Sequence, residues 1–144
     1  MQRAMMASGV LVSLADGALD REEVHALSME LRSAKFAHRS RLVHELADVP
    51  TPDSEARPPA TYAGFRDSGL EAIRVAADIV ARKAPAELAD FREFLVRLAE
   101  VVADANRKGD ILGVGAQRRT REETAAIEAV RTALGLGGGS AGGR

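Results

Sequence analysis

One stretch near the amino terminus, residues 10–31, constrains the fold of this chain more than any other. It reads VLVSLADGALDREEVHALSMEL, so an almost entirely apolar segment stops at Asp16 and Gly17, and an amphipathic segment begins soon after. Gly17 can end a helix because glycine adopts a positive φ at little cost. Asp20 and Glu23 have the spacing of a capping box, in which each side chain accepts a hydrogen bond from the backbone amide of the other residue. The stretch therefore predicts a helix, a tight acidic turn and a second helix.

Composition favours one all-α domain. The chain has 144 residues, 46% of them hydrophobic, which is enough for a single buried core. Aromatic residues make up only 3%, and Ala, Leu, Glu and Arg are plentiful, which favours helices over strands. We expect one helical domain over residues 1–136. Residues 137–144 are almost all Gly, Ser and Ala, and this composition predicts a disordered tail.

Apolar periodicity predicts a compact bundle of six helices. They cover about residues 2–15, 21–31, 36–47, 62–83 (or from 66), 85–105 and 120–134. The fifth helix carries the clearest stripe, with apolar residues at steps of three and four: Leu88, Phe91, Leu95, Leu98 and Val102. The same helix offers an i,i+4 surface ion pair between Glu93 and Arg97. Four prolines between residues 50 and 59 predict a stiff linker within the domain.

The two ends of the chain contain related segments. Leu-Ala-Asp at 14–16 is followed by Asp-Arg-Glu-Glu at 20–23, and Val-Ala-Asp at 102–104 is followed by Thr-Arg-Glu-Glu at 120–123. Each segment joins an apolar helix to an amphipathic one, and the second copy has the longer loop. We interpret them as two pseudo-repeated helix-turn-helix units packed face to face, with the first and fifth helices at the centre.

These segments resemble the TerB-like domains of bacteria, which are associated with tellurite resistance. The likeness rests on ADG followed by DREE near the start, a related turn late in the chain, and Ala-Leu-Gly-Leu at 133–136. The resemblance implies an all-α fold and a non-enzymatic role in tellurite or metal-ion stress. It also implies a metal site at the acidic turn, formed by Asp16, Asp20, Glu22 and Glu23. The second turn departs from the pattern and offers a weaker set: Asp104, Asn106 and Asp110.

The chemistry of the acidic turn leaves two interpretations open. Carboxylates without His or Cys suit a hard cation, so Ca²⁺ or Mg²⁺ is the candidate cofactor. Neither turn has the register of an EF-hand. The alternative is that Asp20 and Glu23 cap a helix and that Asp16 lies exposed at a helix end.

The segment 106–119, NRKGDILGVGAQRR, is a candidate partner-binding loop. Its apolar and basic residues would contact a protein partner: Arg107, Lys108, Ile111, Leu112, Val114 and Arg118. The segment lacks the pattern of a nucleotide-binding loop, because a helix rather than a strand is predicted before it and the GK[ST] signature is absent. The same apolar residues could instead pack on the core.

Charge and residue types exclude several functions. A net charge of −1 gives no electrostatic case for nucleic acid or an anionic membrane. The chain has no Cys, and His25, His38, His44 and Ser13 show no local spacing typical of a catalytic pair. We therefore expect no enzyme.

Two functions remain. The first is a stress-response binding or scaffold module with weak divalent-cation binding. The alternative is a metal-independent protein-interaction domain that uses the 106–119 loop. Either implies a protein partner, with membrane-associated stress proteins and a second copy of the chain among the candidates.

The apolar amino terminus superficially resembles a signal peptide, but it continues directly into the helix-capping residues, as a core helix does. It is also shorter than the roughly 20 apolar residues of a membrane span. We expect a core helix, no membrane insertion and a cytoplasmic location.

Overall fold

The computed structural model describes residues 1–15, 21–48, 62–105 and 120–137. Within these ranges the chain forms six α-helices and no strand: α1 Gln2–Ser13, α2 Arg21–Ala37, α3 Arg41–Ala47, α4 Tyr62–Lys83, α5 Leu88–Ala105 and α6 Arg121–Ala133. One turn of 3-10 helix, Pro85–Glu87, leads into α5. The all-α prediction is confirmed. The proline-rich linker lies outside the described residues, as do residues 16–20, 106–119 and 138–144.

The centre of the bundle is the contact between α1 and α5, which is the largest helix–helix contact in the described ranges. Phe91, Leu95, Leu98 and Val102 on α5 are fully buried, which confirms the apolar stripe predicted from their spacing. α4 packs along α1, while α2 packs mainly on α5 and α3. α6 contacts both central helices. The two apolar helices therefore lie at the core, as the repeated segments predicted.

Gly9 permits the close approach of three helices. A Cβ atom at this position would lie 2.9 Å from Leu27 Cδ1 of α2 and 3.4 Å from Val102 Cγ2 of α5. Because glycine has no side chain, α2 and α5 can both pack against α1 at the same level. A larger residue would push at least one of these side chains out of place.

The ends of α6 follow the local signals in the sequence. Thr120 Oγ1 accepts a hydrogen bond from the Glu123 amide at 3.0 Å, and Glu123 Oε2 accepts one from the Thr120 amide at 2.7 Å. Thr120 and Glu123 therefore form a capping box. At the other end, Gly135 has φ +72° and its amide donates to the Thr132 carbonyl oxygen at 2.9 Å. This arrangement ends the helix.

The boundary between α2 and α3 differs from the prediction. We expected a helix over residues 36–47, but α2 continues through Phe36 to Ala37, and α3 begins only at Arg41. Ser40 sets this boundary, because its Oγ accepts a hydrogen bond from the Val43 amide at 3.1 Å. The same hydroxyl donates to Glu87 Oε2 at 2.5 Å, which fixes the start of α3 against the beginning of α5. The predicted start of the third helix was wrong, because Phe36 belongs to α2.

None of the helices in the described part of the chain is long and apolar enough to cross a membrane.

Candidate functional site

A groove of about 930 Å³ lies between α2 and the carboxyl-terminal end of α5. Its apolar lining comes from Ala26, Met29, Val101 and Ala105. Its polar lining comes from Arg21, Glu22, His25, Glu30, Ser33 and Asp104. A concave surface with an apolar floor and a few polar groups is the usual form of a binding site.

The apolar lining of the groove comes partly from α2, whose apolar residues occupy more than one face. Leu27 and Leu31 lie four residues apart and are buried in the core, as helical geometry requires. Val24 has the helical spacing of this face but lies in the first turn of α2 and is partly exposed, whereas Met29 falls outside the face and has half of its surface open to solvent. Met29 instead lines the groove.

The charged residues on the groove are predominantly acidic. Glu22, Glu30 and Asp104 supply carboxylates, against a single guanidinium from Arg21. Glu30 is also ion-paired with Arg97 of α5. The hydrogen bond to Glu30 and the charge of Glu30 raise the pKa of Arg97 above its usual value.

The ion pair predicted between Glu93 and Arg97 does not form. Arg97 pairs with Glu30, while Glu93 accepts a hydrogen bond from Arg39 at 3.3 Å. The helix–helix packing brings these partners from α2 and from the turn that follows it. Both charges therefore link segments that are distant in sequence, rather than stabilising α5 alone.

The described residues of the predicted acidic turn lie in different environments. Glu22 is exposed and lines the groove. Glu23 is buried, and its Oε2 accepts a hydrogen bond from Ser13 Oγ at 2.5 Å. Asp16 and Asp20 lie outside the described residues. The structure therefore does not bring Glu22 and Glu23 together at one solvent-facing position.

The second predicted turn contributes one described residue, Asp104, which is half-buried and lines the same groove as Glu22. Asn106 and Asp110 lie outside the described ranges, as does the whole predicted partner-binding loop: Arg107, Lys108, Ile111, Leu112, Val114 and Arg118. Glu22 of the first predicted turn and Asp104 of the second therefore line the same groove. His25, Met29 and Val101 complete it, and we did not predict them as site residues.

The prediction of a Ca²⁺ or Mg²⁺ site stays a prediction. Among the described residues there is no group of three or more His, Asp or Glu side chains that could hold a metal ion. Two of the four predicted ligands lie outside those residues, so the complete set is not described.

Two of the residues considered for catalysis, Ser13 and His38, have structural partners. Ser13 has no carboxylate at a local helical spacing, but the fold brings Glu23 to it, and both side chains are fully buried. His38 packs edge-to-face on Phe94 with ring centroids 5.5 Å apart. Its Nδ1 accepts a hydrogen bond from the Ser40 amide at 3.1 Å. The Ser13–Glu23 hydrogen bond joins α1 to α2, and the His38–Phe94 contact joins the turn after α2 to α5.

Comparison of the chain with protein-family models, with curated proteins and with solved structures finds no match. The resemblance to TerB-like domains therefore rests on the residues quoted above.

Proposed function

We propose that this protein is a non-enzymatic binding module that holds an amphipathic helix of a protein partner in the groove between α2 and α5. The observation that carries the proposal is the apolar floor around Met29, bordered by Glu22, Glu30 and Asp104. Recognition of a helix in a groove uses apolar anchors that repeat along one face of the bound helix. Basic residues beside those anchors would complement the acidic border. The partner we propose is thus a basic amphipathic helix.

The resemblance to TerB-like domains supports a place for this binding in a cytoplasmic stress response. In that setting the module acts as a scaffold, and a stress protein associated with the membrane is one source of the partner helix. The apolar floor supplies the binding free energy in this proposal, and the acidic border supplies orientation and selectivity. Binding of the helix therefore needs no divalent cation.

Replacing Met29 with glutamate tests the proposal. The probe is a synthetic helix of about 18 residues, long enough to follow the groove, with leucine on one face and lysine on the other. We expect saturable binding by isothermal titration calorimetry. Because a buried Met side chain contributes about 1.5–3 kcal/mol, Met29→Glu should weaken binding about tenfold or more. A chelator should leave the affinity unchanged.

Val75 supplies the matched control. It lies on α4, 42% exposed against 50% for Met29, and it does not line the groove. Val75→Glu adds the same charge to the protein and should leave binding intact. A second peptide with glutamate in place of lysine should not bind, because the acidic border repels it. An added negative charge alone would favour a basic peptide, so equal weakening by both variants would contradict the groove as the binding site. Loss of binding with chelator would instead favour the cation site at the acidic turn.

A further inference from the structure

We infer that Arg92 forms a second binding site, for an organic monocarboxylate, in a cavity between α5 and the carboxyl-terminal end of α6. The cavity has a volume of about 460 Å³. Arg92 lines it together with Val96, Arg131 and Leu136. It is separate from the groove described above, because no residue lines both.

The first argument is that Arg92 has no charge partner among the residues that the structure describes. Its Nε atom is buried without a hydrogen bond to any described residue, and Arg92 forms no ion pair in those ranges. The other charged residues on the cavity wall are already paired: Arg97 with Glu30, Glu93 with Arg39, and Arg131 with Glu100. A guanidinium without a counter-charge attracts an anion, so a ligand whose carboxylate reaches the terminal nitrogens of Arg92 would be favoured.

The second argument is the position of the guanidinium. A Cβ atom on Gly135 would lie 3.2 Å from Arg92 Nη2, so the missing side chain leaves room for the guanidinium beside the final turn of α6. The carbonyl groups at a helix carboxyl terminus carry only a partial negative charge, which holds a cation in place without neutralising it. Arg92 is half-buried with its Nε enclosed, so its guanidinium is partly desolvated. Partial desolvation strengthens a charge-assisted hydrogen bond.

The third argument concerns the class of ligand. A carboxylate would approach the terminal nitrogens of Arg92, because Nε is enclosed. Leu136, which is 46% exposed, and Val96 supply an apolar wall for a short hydrocarbon group. Glu93 and Glu100 on the same wall disfavour an anion with two or more charges, such as phosphate. These features together select a singly charged carboxylate with an apolar substituent.

Butanoate is the probe for this site, with the Nε–Hε cross-peak of Arg92 in ¹⁵N NMR spectra as the readout. We expect a saturable shift of that cross-peak and of the backbone amide of Gly135. Loss of a hydrogen bond to a charged group costs about 1.5–3 kcal/mol, so Arg92→Gln should weaken binding about tenfold or more. Arg92→Lys retains the charge but not the planar fork, and it should bind less tightly than the parent protein.

Arg82→Gln is the matched control, because Arg82 is an exposed cation on α4 that does not line the cavity. It should bind butanoate as the parent protein does. Acetate should bind more weakly than butanoate, and inorganic phosphate more weakly still. Equal weakening in the Arg82 and Arg92 variants would overturn the inference, as would tighter binding of phosphate than of butanoate. Absence of a saturable shift in the folded parent protein would also overturn it.

Discussion

Replacing Phe91 with alanine is expected to lower the free energy of unfolding by about 3–5 kcal/mol, the range for deleting a buried phenyl ring. Phe91 is fully buried on α5, the helix that forms the largest contact of the bundle with α1. Removing the ring deletes its apolar contacts and leaves a cavity that surrounding helices can fill only in part. Whole domains are typically stable by only 5–15 kcal/mol. The change should therefore remove a large share of the stability, with a clear fall in the urea midpoint.

Phe36→Ala is the control for this prediction. It makes the same chemical change at a side chain that is 73% exposed. The ring contacts the Lys35 ammonium at 5.5 Å, an interaction worth about 0.5–1 kcal/mol at an exposed site. Phe36→Ala should therefore cost less than about 1 kcal/mol. Similar urea midpoints for the two variants would contradict the central position of α5. A midpoint for Phe91→Ala within error of the parent protein would also contradict it.

The sequence predicted the parts of the fold that depend on local signals. The apolar residues of α5 recur at helical spacing, so both the helix and its buried face could be read directly. Thr120 and Glu123 form their capping box within one turn of helix, so its geometry follows from their spacing alone. Pro85 marked the first turn before α5, although that turn is a 3-10 helix. In each case the residues that determine the structure are close together in the chain.

The sequence did not predict contacts that join distant segments. Arg97 pairs with Glu30, 67 residues away, rather than with its neighbour Glu93. The groove is formed by α2 and α5 together, so no single segment contains its pattern. Met29 is apolar like Leu27 and Leu31, but its angular position on α2 places it on the surface. Hydrophobicity alone cannot separate these two environments.

The two repeated segments show the difference between local and long-range contacts at one pair of equivalent positions. Glu23 and Glu123 occupy the same place in the two copies and are both buried. The second closes a capping box within its own helix start. The first accepts a hydrogen bond from Ser13 on α1. The repeat therefore predicted that the two positions correspond, but it did not predict that one of them joins two helices.

The Ser13–Glu23 contact leads to the second prediction, a double-mutant cycle. Ser13→Ala is expected to lower the free energy of unfolding by about 2 kcal/mol, because it removes a hydrogen bond to a buried carboxyl group. Glu23→Ala removes the acceptor and leaves space around the Ser13 hydroxyl, and it should cost at least as much. The double variant should cost less than the sum of the two, with a coupling energy of about 1–3 kcal/mol measured by urea unfolding.

Ser8 is the internal control for this cycle. It is a second fully buried serine on α1, but its hydroxyl donates at 2.7 Å to the Met5 carbonyl oxygen within the same helix. Ser8→Ala should cost about 1 kcal/mol or less, since that carbonyl also accepts the backbone hydrogen bond of the helix. Its effect should add to that of Glu23→Ala without coupling. If Ser13→Ala and Glu23→Ala were likewise additive, their hydrogen bond would not hold α1 against α2.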